Sequence, residues 1–220
     1  MRVGGDVSRR GGRVVRLGRA PPPDYTVYIA TDPQLLQIVD DALDAAAQRA
    51  GDHLACYAGC AVCCFGPFPI TAADAQRLRR GLESLKLTDL ASASAITHRA
   101  EAARKLLSTA FPGDPNTGDL HANLDEAAFA ARFPDLACPV LDPASGRCLL
   151  HEARPIACRL YGLPTRVDGA DLPHCPLCFR RASQQEIEAA RAIIDFPKPD
   201  STLEAPLTVI AYAFHQELRP

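Results

Sequence analysis

Tryptophan is absent from this 220-residue sequence, methionine occurs once, and aromatic residues make up only 6% of the chain. A surface rich in large aromatic hot spots is therefore not expected. The sequence also lacks an apolar run near the roughly 18 residues that identify a membrane-spanning helix. Its N-terminus does not carry the apolar segment of a secretory signal, so we expect a cytoplasmic protein with no membrane partner.

The chain also has little excess of one charge over the other. The net charge of −2 gives no argument for nucleic acid or an anionic membrane as a partner. Residues 1–20 are the exception, because six arginines there face one aspartate. Glycines interrupt any amphipathic helix, and no aromatic side chain is available to stack on bases. We therefore expect residues 1–24 to form a disordered basic tail rather than an RNA-binding arm or a transit peptide, and residues 25–220 to form one domain.

Motifs of several common enzyme classes are missing. The sequence has no glycine-rich nucleotide loop, no G-x-S-x-G elbow and no HExxH motif. His151-Glu152 begins like the zinc-protease motif, but Pro155 stands where the second histidine would be. A binding function is therefore favoured over an enzymatic one.

Cysteine, in contrast, is abundant, with nine residues. An odd number of cysteines in a cytoplasmic chain of this length argues against a disulfide scaffold. Thiolates are soft ligands that suit zinc and iron–sulfur clusters, so metal ions are the expected partners. The candidate metal ligands are Cys56, Cys60, Cys63, Cys64, Cys138, Cys148, Cys158, Cys175 and Cys178.

The spacing of the cysteines bears on the kind of metal site. Cys60 and Cys63 have the two-residue gap of a metal knuckle. Neighbouring side chains usually point in different directions, so the adjacent Cys63 and Cys64 predict two metals or two irons of one cluster. Cysteine–proline steps occur in bacterial ferredoxins, which favours an iron–sulfur cluster slightly over zinc. Cys56 is either a ligand or a bystander. We expect the central ligands to be Cys60, Cys63, Cys64, Cys138, Cys148, Cys158 and Cys175. Substitution of Cys56 or Cys178 is expected to reduce metal binding and folding less.

Helical periodicity and capping signals dominate both ends of the expected domain. Asp32-Pro33 reads as an N-cap followed by proline, and Thr71 with Asp74 reads as the start of another helix. The third helix is expected to bury Leu90 and Leu106 on its apolar face. Four helices are predicted before the C-terminal region: Pro33 to Gly51, one that starts at Thr71, Thr88–Ala110 and Asp125–Arg132. Two more are predicted in the C-terminal region 182–218: Ser183–Ile194, and one that runs from Ser201 toward Leu218.

Prolines interrupt the segment between residues 134 and 178, so its regular elements must be short. A small hairpin is predicted between Val140-Leu141 and Cys148-Leu149-Leu150, followed by a helical turn over Ile156–Tyr161. A segment with so little core of its own needs a metal to order it. The expected fold is mainly α: a small helical domain with an irregular, proline-rich, metal-stapled cysteine segment (56–178) and at most a short β-hairpin.

Four parts of the sequence carry a family resemblance: the cysteine loop 56–64, Cys138-Pro139, the run 146–162 with its Arg-Pro-x-x-Cys-Arg step, and Cys175-Pro176. Together they resemble the bacterial YkgJ-like cysteine-cluster family, a zinc- or iron-chelating domain of the CxxCxxCC type. Where members often carry tyrosine, this chain has His151. The resemblance implies metal chelation through the cysteines. A related segment occurs in flagellin lysine methylases, which leaves an enzymatic role open.

The sequence therefore predicts a metal-binding protein that holds an iron–sulfur cluster or zinc, with a structural, metal-handling or redox role. The alternatives are a metal-dependent protein-modifying enzyme related to the flagellin lysine methylases and a metal-stapled interaction module. Clustered thiolates repel one another, so nearby cations should stabilise them. Arg154 and Arg159 are the preferred donors to the cluster sulfurs, with Arg147 also placed between the cysteines. His174 could replace a thiolate on zinc, although a loop or capping role is preferred.

Overall fold

The computed structural model describes residues 33–196 and 206–215. Helices make up most of the regular structure in these ranges, which confirms the mainly α prediction. The predicted tail, residues 1–24, lies outside them. None of the helices in these ranges has the length and apolar character needed to cross a membrane. The helices are α1 (Pro33–Ala50), α2 (Ala72–Thr88), α3 (Leu90–Ser108), α4 (Glu126–Arg132), α5 (Ile156–Leu160), α6 (Gln184–Ala189) and α7 (Ile210–Ala213).

Side-chain caps fix the starts of the two helices that follow the cysteine loop. The Thr71 hydroxyl accepts a hydrogen bond from the Asp74 N–H, and the Asp74 carboxylate accepts one from the Thr71 N–H. This complete capping box begins α2, as the sequence predicted. α3 starts at Leu90, slightly later than predicted, because the Asp89 carboxylate caps it by accepting from the Ser92 N–H.

The described residues also contain short strands: β1 (Pro69–Ile70), β2 (Thr165–Val167), β3 (Ala170–Leu172), β4 (Ala192–Ile194) and β5 (Thr208–Val209). β1 pairs antiparallel with β5. β2 lies at the centre of a second sheet, antiparallel to β3 and parallel to β4. The described residues therefore contain more β-structure than the single short hairpin that the sequence predicted. The β1–β5 and β2–β4 pairs join segments distant in sequence, which local patterning does not reveal. The β2–β3 pair is a local hairpin that turns at Asp168-Gly169, a signal that the sequence analysis missed.

The C-terminal helices are shorter than predicted. α6 ends at Ala189, and residues 192–194, which were expected to continue it, form β4. The two isoleucines of β4 are β-branched, and the segment hydrogen-bonds to β2. The predicted capping box at Ser201 lies outside the described residues. Within 206–215, β5 precedes the short helix α7, so the prediction of one long final helix is wrong there.

The hairpin predicted in the proline-rich segment is present in reduced form. Leu141 and Cys148 make a single antiparallel bridge. The Asp142 N–H donates to the Arg147 carbonyl at 2.8 Å, and Gly146 closes the turn with φ 69°. The helical turn predicted next is α5.

Three hydrophobic clusters form the core. α1 packs with α5 and the β2–β4 sheet in the first cluster, and α2 packs with α3, β1 and α7 in the second. The third joins α3 and α4 around the fully buried Tyr212. α3 turns the stripe containing Ile96 inward, so Leu90 and Leu106 are exposed and their predicted burial is wrong.

Candidate metal centre

Two consecutive turns shape the cysteine-rich loop that follows α1. In the first, the Cys60 N–H donates to the Tyr57 carbonyl at 3.0 Å. In the second, the 3-10 turn Val62–Cys64, the Cys64 N–H donates to the carbonyl three residues earlier at 2.9 Å. The first turn thus spaces Cys56 from Cys60, whereas the second holds the adjacent cysteine pair.

Cys56 contacts a cysteine from the far end of the proline-rich segment. Its Sγ lies 3.8 Å from the Sγ of Cys178, 122 residues away in sequence. The Ala55 N–H also donates to the Cys178 Sγ at 3.4 Å. The side chain of Cys175 is close enough to interact with that of Cys178, and Cys60 is close enough to interact electrostatically with Cys56. We call Cys56, Cys60, Cys175 and Cys178 the first thiol set.

Backbone contacts fix the two halves of the first thiol set. Cys175 and Cys178 are buried in the core cluster that contains α1. The Cys175 N–H donates to the Gly162 carbonyl at 3.2 Å, and the Phe179 N–H donates to the His53 carbonyl at 2.8 Å. The end of α1 and the 175–178 knuckle are therefore held together by core packing as well as by sulfur contacts.

Two thiols of the first set, those of Cys56 and Cys175, resist ionisation. Burial, followed by the neighbouring Cys178, raises the pKa of Cys56 to about 12. Burial also raises the pKa of Cys175, although a backbone hydrogen bond from Leu177 opposes it. Both groups are protonated at neutral pH without a metal, so a bound cation would have to displace their protons.

The other five cysteines come together elsewhere in the molecule. The Cys138 N–H donates to the Cys64 carbonyl at 2.7 Å, and the side chains of Cys63 and Cys64 are close enough to interact. Cys64 interacts electrostatically with Cys138 and Cys158, while Cys148 interacts with Cys138 and Cys63. We call these five residues the second thiol set.

The second thiol set lies against a different part of the core. Cys138, Cys148 and Cys158 pack on the cluster formed by α2 and α3. An antiparallel bridge between Phe65 and Ala137 holds the cysteine loop beside the start of the proline-rich segment. The distant cysteines of this set are thus brought together by backbone pairing and apolar packing.

Thiol pKa values are raised in the second set as well. The hydrogen bond with Cys63, and then burial, raises the pKa of Cys64 far above its usual range. Burial raises the pKa of Cys138 to about 12. Burial also raises the pKa of Cys148, against the opposing effects of a backbone hydrogen bond and the Arg154 charge.

This arrangement bears on two expectations drawn from the cysteine pattern. Cys63 and Cys64 were expected to point apart, but their side chains lie close enough to interact, so adjacency alone no longer argues for two metals. Substitution of Cys56 or Cys178 was expected to have the smaller effect. Their sulfur atoms lie 3.8 Å apart, with Cys178 buried and Cys56 exposed, and the smaller effect stays a prediction.

The donor chemistry of both sets suits zinc or iron. At a Zn–S bond length of about 2.3 Å, two thiolates on one tetrahedral ion lie about 3.8 Å apart. The Cys56–Cys178 separation of 3.8 Å equals that edge. As the side chains stand, no three Cys, His, Asp or Glu residues in ranges 33–196 and 206–215 converge closely enough to hold an ion. The thiols of Cys56 and Cys178 instead hydrogen-bond to each other.

Arg154 lies beside the second set. Its charge lowers the pKa of Cys148, against the larger effect of burial. Its Nη1 contacts the His151 ring, while its buried Nε has no hydrogen-bond partner among the described residues. That unpartnered donor near Cys148 is consistent with the predicted role of Arg154.

Arg159 has a different set of contacts from those predicted. Its Nη1 lies 2.7 Å and 2.8 Å from the two carboxylate oxygens of Asp40 on α1. Its Nη2 donates to the Glu152 carbonyl at 2.6 Å, and its Nε donates to the Arg154 carbonyl at 3.4 Å. The buried Arg159 therefore fixes the backbone before Cys158 to α1.

Sequence reasoning missed the charged groups that hold the loops. Asp74 accepts from the Ile156 N–H at 3.1 Å, and Arg77 donates to Asp74 at 2.6 Å. Arg99 on α3 donates to the Pro139 carbonyl at 2.8 Å, next to Cys138. Only Asp74 had a sequence signal, its place in the capping box. The others look like ordinary charges on helices.

His174 packs edge-on against Phe179, with ring centroids 5.4 Å apart. Burial, and then the charge of Arg191, lowers its pKa. A role for His174 as a metal ligand stays an untested prediction.

Comparison with known proteins gives one match. Residues 55–178 match the CxxCxxCC family model, described as "Putative zinc- or iron-chelating domain". Searches of the curated proteins and of the solved structures returned no match. The matched range contains all nine cysteines and covers more than half of the chain. The chain therefore belongs to the CxxCxxCC family of zinc- or iron-chelating domains.

Proposed function

We propose that the protein chelates zinc or iron through its clustered cysteines and that the bound metal holds the proline-rich segment onto the helices. The observation that most directly supports this proposal is the contact between Cys56 and Cys178. Their sulfur atoms lie 3.8 Å apart, although the two residues are 122 positions apart in sequence. A link between such distant positions constrains the whole intervening chain.

The fold supplies a reason for such a link. Between α4 and β2 the only α-helix is α5, a single turn of five residues. Short turns and bridges order the rest of that stretch, and backbone contacts at Ala137 and Cys138 join it to the loop after α1. Metal–thiolate bonds can supply the stability that a small apolar core does not.

The Cys56–Cys178 distance supports zinc at this pair, although cysteine–proline spacing alone favoured iron. Two thiolates on a single tetrahedral ion lie about 3.8 Å apart, as these two sulfurs do. In a four-iron cubane each thiolate ligates a different iron, which holds the thiolates further apart. When bound, zinc would supply positive charge that stabilises the thiolates, and Arg154 would contribute a cation and a donor beside Cys148.

Metal analysis of protein purified without oxygen tests the proposal. We expect stoichiometric zinc, or iron accompanied by acid-labile sulfide and visible charge-transfer absorption. Cys56→Ser should lose metal, whereas Val62→Ser, an exposed position in the same loop, should retain it. Protein that stays metal-free after incubation with either ion under reducing conditions would refute chelation.

A further inference from the structure

We infer that the nine cysteines form two separate metal centres, one for each thiol set. The inference rests on the proposed chelation and adds the number of centres and the ligands of each. Cys56, Cys60, Cys175 and Cys178 would hold a single four-coordinate zinc ion. The second centre would draw its ligands from Cys63, Cys64, Cys138, Cys148 and Cys158.

The first set has the donors for one tetrahedral ion, and its side chains would turn further inward to meet on it. It offers four thiols, the number that a closed structural zinc site requires. A turn presents Cys56 and Cys60, and the Cys178 N–H donates to the Cys175 carbonyl at 2.9 Å to close the opposing knuckle. The Cys56–Cys178 separation of 3.8 Å already has the length of one tetrahedral edge.

Glycine at position 162 allows the close approach of Cys56. A Cβ atom built there would lie 3.3 Å from the Cys56 Sγ, tighter than an ordinary contact. Gly162 has φ 125°, which a residue with a side chain rarely adopts, and its carbonyl accepts from the Cys175 N–H. One glycine thus supports both halves of the first set.

The core separates the two sets. Cys175 and Cys178 are members of the cluster built on α1 and the β2–β4 sheet. Cys138, Cys148 and Cys158 instead pack on the cluster built on α2 and α3. Close-packed side chains hold each thiol set against its own hydrophobic cluster. Bringing all nine sulfurs to one metal centre would therefore require repacking both hydrophobic clusters.

The boundary between the centres falls inside the cysteine loop. Cys60 belongs to the first turn and Cys63 to the second. The carbonyl of Cys64 then accepts from the Cys138 N–H, which directs the second turn toward the other core layer. The two centres take neighbouring cysteines from this loop. Cysteines that pack on two different core clusters complete them.

Partial metal loading of the wild-type chain tests this assignment without any substitution. Reduced, metal-free protein would receive increasing zinc, followed by brief alkylation and peptide mapping by mass spectrometry. We expect Cys56, Cys60, Cys175 and Cys178 to become protected together, along one zinc-dependence curve. The second set should follow a separate curve. Protection of all nine along a single curve, or of a group mixing the two sets, would overturn the assignment.

Two matched substitutions provide a second measurement. Cys175→Ser should remove one zinc by native mass spectrometry and leave the alkylation protection of the second set intact. Cys148→Ser should leave the first set protected and still holding its one ion. If either change exposes both sets while circular dichroism shows a folded chain, the centres are not separate. Wild-type protein that binds neither zinc nor iron would instead defeat the proposed chelation itself.

Discussion

Arg159 on α5 and Asp40 on α1 form a partly buried ion pair, with Nη1 of the arginine within 2.8 Å of both carboxylate oxygens. Only 6% of the Arg159 side chain is exposed, against 38% of Asp40. The arginine follows Cys158 directly and also binds the Glu152 carbonyl. Asp40 lies outside residues 55–178, so a helix beyond the family-matched region holds one cysteine of the second thiol set.

Asp40→Asn is expected to weaken metal binding by the second thiol set about tenfold, the scale typical of groups that orient metal ligands. The physical reason is that the Arg159 guanidinium loses its charged partner and holds the Cys158 backbone less firmly. Unfolding free energy should fall by about 1–3 kcal/mol. Metal affinity is measured by competition with a chromogenic chelator, and stability by urea unfolding.

Asp41→Asn is the matched control for that substitution. Asp41 is the next residue on α1 and carries the same charge, but it is exposed and accepts its hydrogen bond from Gln37 at 2.7 Å. We expect its affinity and stability to equal those of the wild type. Equal losses in the two variants would mean that net charge, not the contact with Arg159, is responsible.

Local signals predicted the helices well, because each start depends on neighbouring residues. The capping box of Thr71 and Asp74 is complete in the sequence and intact in the structure. β4 and β5 were missed because their pairing partners lie far away in sequence. A β-branched segment of two or three residues carries too short a pattern to reveal that pairing.

The cysteines were identifiable from sequence, but their grouping was not. Cys63 and Cys64 were expected to point apart, yet a 3-10 turn brings their side chains into contact. The Cys56–Cys178 contact depends on how α1 packs against the β2–β4 sheet, which spacing cannot encode. Asp40 was missed for the same reason, since its partner Arg159 lies 119 residues away.

Removing the metal should loosen the proline-rich segment more than the α2–α3 pair. The two helices share an apolar cluster around Leu78 and Ile96, and we expect this cluster to persist without metal. Residues 134–178 contain one single-turn α-helix and the short strands β2 and β3, so we expect much of their order to depend on the cysteine links. Hydrogen exchange with and without a chelator is the measurement. Faster exchange should be confined largely to 134–178 and to loop 55–65.

Equal acceleration of exchange across α2, α3 and the proline-rich segment would contradict this expectation, because it would show that metal loss unfolds the whole chain. Adding zinc back to the chelated protein should restore slow exchange in the two affected regions. Magnesium, which prefers oxygen ligands, should not, and it provides the control ion.

The metal-free protein should lose stability in alkaline solution. Burial raises the pKa of Cys56 and of Cys138 from 9.0 to about 12 in the folded chain. Folding therefore favours the protonated thiols, and this contribution is fully present below pH 9. It is lost as pH rises from there through about 12. Urea unfolding of chelated protein across this range measures the loss.

Metal-loaded protein should behave differently over the same range. Its thiols are already deprotonated, so raising the pH removes no proton from them, and stability should hold where the metal-free chain weakens. On acidification the protons compete with the metal, and affinity should fall. An identical alkaline loss in both forms would show that other groups cause it.

Gly146→Ala should destabilise the protein more than Gly169→Ala. Both glycines have left-handed φ values, 69° and 82°, so each substitution costs about 1–2 kcal/mol in backbone strain. A Cβ at Gly169 meets open space, whereas one at Gly146 would lie 2.4 Å from the Gly59 carbonyl oxygen. The contact joins the cysteine loop to the hairpin that carries Cys148, and backbone cannot rotate away as a side chain can. We expect a further cost of about 1–3 kcal/mol at Gly146. Urea unfolding of both metal-loaded variants measures the difference, and equal losses would show that the two loops separate without cost.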